Sequence, residues 1–161
     1  MRSGAWTMIG MGGLILASTA QASDFVSKVM SRDLKVPAAL AWKRIGSFCD
    51  LEKFLEVKCR YSAGTGSVPT VRTVSMGEHS GEEVMVGQTS TSYTYASRNS
   101  PLFYHATMAV EPTGPKRSRL TYTFVWDQES LTPDARAKDA EFRDKIFIPA
   151  LDKAKAVAEG K

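Results

Sequence analysis

The run YHATMAVEPTGPKRSRLTYTFVWD, residues 104–127, holds two alternating segments joined by a turn. In the first, Tyr104, Ala106, Met108 and Val110 share one face; in the second, Leu120, Tyr122, Phe124 and Trp126 do. Successive strand side chains point to opposite faces, so each segment reads as a strand with one apolar and one polar side. Pro112 to Lys116 carries the turn residues between them, and the pair is an antiparallel hairpin. The densest basic cluster, Lys116, Arg117 and Arg119, falls at its tip. A nucleic-acid surface needs a broader patch interleaved with aromatics, so this reads as a solvated turn.

The same pattern extends upstream. Residues 71–76 are β-branched and alternating, residues 82–89 place Val84 and Val86 together, and residues 91–96 place Tyr93 and Tyr95 together. Turn-rich links at 62–67, 77–81 and 98–101 separate these runs at about 10-residue spacing, which predicts an antiparallel meander. Before it, residues 24–36 read as a first strand ending at Pro37. A helix with proline at its first position follows over 37–45, with Leu40, Trp42 and Ile45 facing inward. Gly46 ends it, and a second short helix over 50–54 takes Asp50 as its N-cap.

Downstream the period changes. Thr132-Pro133-Asp134 is a helix start, with a hydroxyl cap, proline in the first turn and an acid beside it. Phe142, Ile146, Phe147, Ala150, Leu151, Ala154, Val157 and Ala158 then recur at helical spacing, with Pro149 expected to kink the helix or loosen a turn. The predicted class is α+β. A curved antiparallel sheet wraps one long C-terminal helix, with two short helices after the first strand. One helix is about 10 Å across, so a wide curved sheet can leave an apolar pocket beside it.

The chain has 161 residues and a formal charge of +4, with 43% hydrophobic and 24% charged residues; these values fit one globular domain and argue against disorder. No glycine-rich phosphate loop is present, and the two Cys and two His show no metal-clip spacing. Neither a metal nor a cofactor is assigned. Residues 1–22 read as a secretory signal: Arg2, an uncharged apolar run from Ala5 to Ala17, and Ala20-Gln21-Ala22 as the cleavage pattern. The alternative is an attached N-terminal anchor, although the run is shorter than the roughly 20 residues a spanning helix needs. Cleavage after Ala22 leaves residues 23–161 as one domain, periplasmic or secreted, with no membrane anchor. In that compartment Cys49 and Cys59 are expected to form a disulfide; two buried thiols are the alternative.

Five strings carry a resemblance: VPAALAWKRIGSFCDL at 36–51, VRTV at 71–74, SYTY at 92–95, YHATMAVEP at 104–112 and LTYTF at 120–124. In this order they resemble the helix-grip superfamily of START lipid-transfer domains, birch-pollen allergens and the polyketide cyclase/dehydrase (SRPBCC) group. The similarity is greatest to small exported bacterial members of the last. The resemblance implies a cavity between sheet and long helix. Relatives often carry a Trp-His-Pro-like string where this chain has a shorter Phe54-Leu55-Glu56, and a longer segment where Pro101-Leu102-Phe103 stands. Both segments border the pocket mouth in the family fold.

On strand alternation the concave face holds Arg72, Val74, Met76, Val84, Val86, Tyr93, Tyr95, Tyr104, Met108, Tyr122, Phe124 and Trp126. Of these, Arg72, Tyr93, Tyr95, Tyr104, Met108, Tyr122, Phe124 and Trp126 are the candidate ligand-binding residues; plain core is the alternative. Four tyrosine hydroxyls on one inner face need partners, which water or a polar ligand group in a cavity would supply. Arg72 either binds an anionic ligand group, pairs with a carboxylate inside the protein, expected from the C-terminal helix, or reaches solvent from a strand end. His105 faces outward, His79 lies in a turn, and Glu82 and Glu83 alternate to opposite faces, so no catalytic set is assigned. The function expected is an exported binding protein for a small hydrophobic or amphipathic molecule. The alternatives are a cyclase or dehydratase acting on an aromatic or polyketide-type compound, and a domain whose pocket is filled by its own side chains.

Overall fold

A computed structural model describes residues 23–161. The signal-peptide reading concerns residues 1–22 and lies outside the described residues. The order is β1 (Phe25–Leu34), α1 (Ala38–Ile45), a 3-10 helix (Asp50–Lys53), β2 (Lys58–Ala63), β3 (Val71–Met76), β4 (His79–Gln88), β5 (Ser92–Ser97), β6 (His105–Gly114), β7 (Arg117–Asp127) and α2 (Pro133–Glu159). The strands form one antiparallel sheet in the order β1-β7-β6-β5-β4-β3-β2. β2 through β7 are a meander, and β1 closes it by pairing with β7. This is the expected helix-grip architecture, with β2 as a strand where the sequence reading had only an extended segment.

The long helix starts where its sequence says it should. Thr132 Oγ1 accepts the Ala135 N–H at 3.3 Å, and Pro133 opens the first turn. The helix runs unbroken through Pro149, which is exposed. Its buried stripe is Arg143, Ala150, Leu151, Ala154 and Ala158, with Phe147 half-buried. Phe142, expected inward, is 56% exposed, because the stripe is phased one residue later and places Arg143 inside instead. Two ion pairs fasten α2 to β1: Lys28 Nζ to Asp144 at 2.5 Å and Arg32 Nε to Asp152 at 2.6 Å. At the far end Arg44 of α1 donates to the Ala158 carbonyl at 2.7 Å, satisfying an orphan group of the last turn.

In α1 the buried residues are Ala38, Ala41 and Ile45; Leu40, expected inward, is 39% exposed. Trp42 packs on Tyr93, ring centroids 5.6 Å apart. Gly46 is needed at the end of α1, since a Cβ there would stand 2.4 Å from the Trp42 ring. Asp50 is not the cap of the 3-10 helix but its first residue: its carboxylate accepts the Ser47 N–H at 2.9 Å and pairs with Lys53 at 2.8 Å.

β4 departs most from the alternation reading. Arg72 lies directly opposite Glu83, and Met85 opposite Tyr95, so Glu83 and Met85 face inward. Val84 therefore sits on the outer side. A bulge between Met85 and Gly87 then leaves Val86 51% exposed. Lys116, Arg117 and Arg119 are all exposed, as a solvated tip requires, while Ser118 among them is fully buried and donates to the Val36 carbonyl at 2.8 Å.

Cys49 and Cys59 form a disulfide, with Cα atoms 5.5 Å apart, tying the start of the 3-10 helix to β2. Closing a loop of about 11 residues removes roughly 3 kcal/mol of unfolded-chain entropy. Cys49→Ala should therefore lower unfolding free energy by about 2–4 kcal/mol in urea titration of non-reduced protein. A change below about 0.5 kcal/mol would show that the bridge contributes nothing to stability.

Candidate functional site

Arg72 is fully buried, and its guanidinium is the most constrained group in the interior. Nε donates to Glu83 Oε2 at 2.7 Å across the β3–β4 pair, and Nη1 donates to the Phe48 carbonyl at the end of the α1 connection. Cζ lies 3.9 Å from the Phe48 ring centroid and 4.6 Å from that of Tyr95. Nη2 makes no hydrogen bond. Burial alone would lower the Arg72 pKa and is the largest single influence, but the facing Glu83 carboxylate together with Tyr93, Tyr95 and Tyr122 raises it overall, so Arg72 stays charged. Its counter-charge thus comes from the neighbouring strand, not from α2.

The tyrosines turn to one another. The hydroxyls of Tyr95 and Tyr122 share a hydrogen bond at 2.7 Å, Tyr104 stands 3.5 Å from the Tyr95 hydroxyl, and Tyr93 donates weakly to Met108 Sδ at 3.6 Å. Burial raises the pKa of Tyr93, Tyr95, Tyr104 and Tyr122, so all four remain neutral donors at ordinary pH. Trp126 lies under Arg143, whose Cζ is 4.1 Å from the indole and 5.0 Å from the Tyr104 ring. Arg143 is held by a two-pronged ion pair with Asp139 at 2.8 and 3.0 Å. Phe124 packs on Phe147 with centroids 4.5 Å apart.

The eight candidate residues form one connected interior set with two ends, joined through the Tyr95 hydroxyl. Arg72, Tyr93 and Tyr95 cluster around Phe48; Tyr104, Phe124 and Trp126 pack toward α2. Only Met108 and Tyr122 border the space between sheet and helix. That space is a small void of about 10 Å³, walled also by Phe54, Leu120, Phe147, Ala150, Leu151 and Ala154. It is no larger than one water sphere and its lining is apolar, so it is dry as it stands.

Outside the void lies an open groove of about 400 Å³. Phe54, Leu55 and Glu56 form one wall, Met76 and Gly77 of the β3–β4 turn another, and Lys145, Ile146, Pro149, Ala150 and Lys153 of α2 the third. Phe54 and Ala150 border both spaces. Phe54 is 7% exposed, so its ring is packed where the two spaces meet. Of the α2 residues of this wall, Lys145 and Lys153 were not singled out in the sequence. Their signal is the spacing of Lys145, Pro149 and Lys153, each four apart on one side of the apolar stripe.

The family described as polyketide cyclase / dehydrase and lipid transport matches residues 26–159. The chain belongs to that family. No curated protein matches the sequence. Solved structures of the family fold are similar over most of the chain at low identity. XoxI from Bacillus cereus is 17% identical with a TM-score of 0.67, covering 80% of this chain and 92% of its own. The ZhuI aromatase/cyclase from Streptomyces sp. R1128 is 14% identical with a TM-score of 0.69, covering 84% and 94%. Ara h 8.0201 is 13% identical with a TM-score of 0.64, covering 85% and 99%. These establish a polyketide cyclase/dehydrase-type helix-grip fold for this chain.

Removing Arg72 from this family member should strand a partly buried carboxylate and a backbone acceptor. Arg72→Met is expected to cost about 3–5 kcal/mol by denaturant unfolding. Arg72→Met combined with Glu83→Met should be less damaging than the sum of the two single changes, with a coupling of about 0.5–3 kcal/mol. Strict additivity would mean the pair is not energetically linked.

Proposed function

We propose that the protein is an exported carrier that takes up one small hydrophobic or amphipathic molecule between α2 and the sheet. The single observation that carries this reading is the partition at Phe54. An open groove and a small apolar void both have Phe54 and Ala150 in their linings, so the two spaces meet at these residues. In this reading the free protein is the closed state. Ligand occupies the groove and extends inward as the Phe54 ring swings aside, shifting the population toward an open form.

The interior chemistry supports binding over catalysis. Arg72 does not line the void and is paired with Glu83, and the Tyr122 hydroxyl, which does line it, is engaged by Tyr95. Tyrosines whose pKa is raised by burial are poor bases. The lipid-transport description of the family agrees with a carrier. Export is supported by the Cys49–Cys59 disulfide, since such bonds persist in oxidising compartments, together with the signal-like pattern in residues 1–22. Among the described residues no helix is long and apolar enough to cross a membrane.

Phe54→Ala tests the partition. Truncating a buried phenylalanine costs about 3–5 kcal/mol, and it also joins void to groove. The expected outcome is lower stability but tighter binding of 1-decanol by calorimetric titration, with Phe54→Leu intermediate on both measures. If all three proteins fold, as judged by circular dichroism, and none binds the alcohol, the carrier reading is wrong.

A further inference from the structure

The long helix divides its charge between two flanks. On the β1 side Asp144 and Asp152 are neutralised by Lys28 and Arg32. One residue further along in each case, Lys145 and Lys153 turn toward the groove. Against these two cations the groove lining supplies one carboxylate, Glu56, which pairs with Lys153 at 3.2 Å. Lys145 has no ion-pair partner among the described residues, so the groove carries one positive charge in excess.

The interior offers no competing cation. Arg72 and Arg143 are both buried, and each is held by its own carboxylate, Glu83 and Asp139. An anionic ligand group drawn to either would have to shed its hydration inside the protein beside a carboxylate already in place, a large penalty. At Lys145 it would meet an exposed ammonium and keep most of its hydration. Between Lys145 and Lys153, about 12 Å apart along the helix axis, the wall is apolar: Ile146, Pro149 and Ala150. Proline adds no N–H there. The apolar strip leads from Lys145 to Phe54 and the void behind it.

We infer that the groove selects ligands with a single negative head group on an apolar body, that Lys145 binds the head at the mouth, and that the body lies along Ile146 and Pro149 toward Phe54. This inference rests on the carrier reading and narrows it to one ligand class. The occupant is a single-chain carboxylate, not a neutral lipid or sterol.

The test uses decanoate and 1-decanol, equal in chain length and different in head charge, titrated calorimetrically at pH 7.5 into the exported, oxidised protein. Lys145→Gln should weaken decanoate about threefold to fivefold, the range of an exposed ion pair, and leave 1-decanol within twofold. The decanoate loss should shrink in 0.5 M salt, as screening of an exposed pair requires. Lys138→Gln removes the same charge from an exposed position on α2 outside the groove, and should leave both ligands unchanged. Equal effects of the two substitutions on decanoate would assign the preference to overall charge and overturn the Lys145 site. Wild-type binding of both probes with no change in Lys145→Gln would also overturn it, while leaving the carrier reading intact. Binding of neither probe would refute the carrier reading and this inference with it.

Discussion

A guanidinium without solvent contact has to find its counter-charge inside the protein, and Arg72 sits where that requirement organises three elements at once. The pair with Glu83 turns that carboxylate inward and thereby sets which side chains of β4 face α2. The bond to the Phe48 carbonyl anchors the connection after α1 to the sheet, one residue before the disulfide does so covalently. Phe48 and Tyr95 then close over the cation, replacing lost hydration with aromatic faces. A neutral residue at this position would release the parity of β4 and the entry to the 3-10 helix together.

That arrangement also decides what the concave face is for. Four tyrosines on an inner wall suggest a wet cavity only while their hydroxyls lack partners. Here Tyr95 and Tyr122 bond each other, Tyr104 leans on the same hydroxyl and Tyr93 turns to Met108. Hydroxyls satisfied in this way rigidify the sheet and are not free to address a ligand. The accessible chemistry is therefore displaced outward, to the groove between the Phe54 segment, the β3–β4 turn and α2.

The order of elements was legible because each obeys its own period: two in the meander, helical in the C-terminal stripe, with Thr132 and Pro133 marking the change. What escaped the pattern has identifiable causes. Glu83 was placed outside because alternation through residues 82–89 was anchored on Val84 and Val86. The bulge after Met85 and the cross-strand demand of Arg72 reverse that choice. β2 is short, mostly exposed and polar, so it carries little periodic signal. Phe142 lost the inward place to Arg143, whose aliphatic stem and planar head pack on Trp126 while Asp139 holds the charge. For the site, parity found residues that point inward, but it carries no information about the volume left among them. The groove is set by how far the Phe54 segment stands from α2, a distance that no single strand encodes.

The disulfide bears on how such a site opens. Cys49 and Cys59 fix both ends of the segment that holds the 3-10 helix, Phe54, Leu55 and Glu56, and the Cys59 N–H donating to Glu52 at 2.6 Å braces it from within. Large excursions of this segment would strain against the bridge, so in the carrier reading proposed above admission of a ligand falls to side-chain rotation of Phe54 and small shifts beside it. Exposing a phenylalanine side chain forfeits about 1.5–3 kcal/mol, and an apolar ligand body that covers the vacated surface restores a comparable amount. The closed and open forms then differ by little once ligand is present, and by enough without it to keep the void shut. A tethered segment with one displaceable ring can thus change its occupancy without loosening the sheet that Arg72 and the tyrosines hold together.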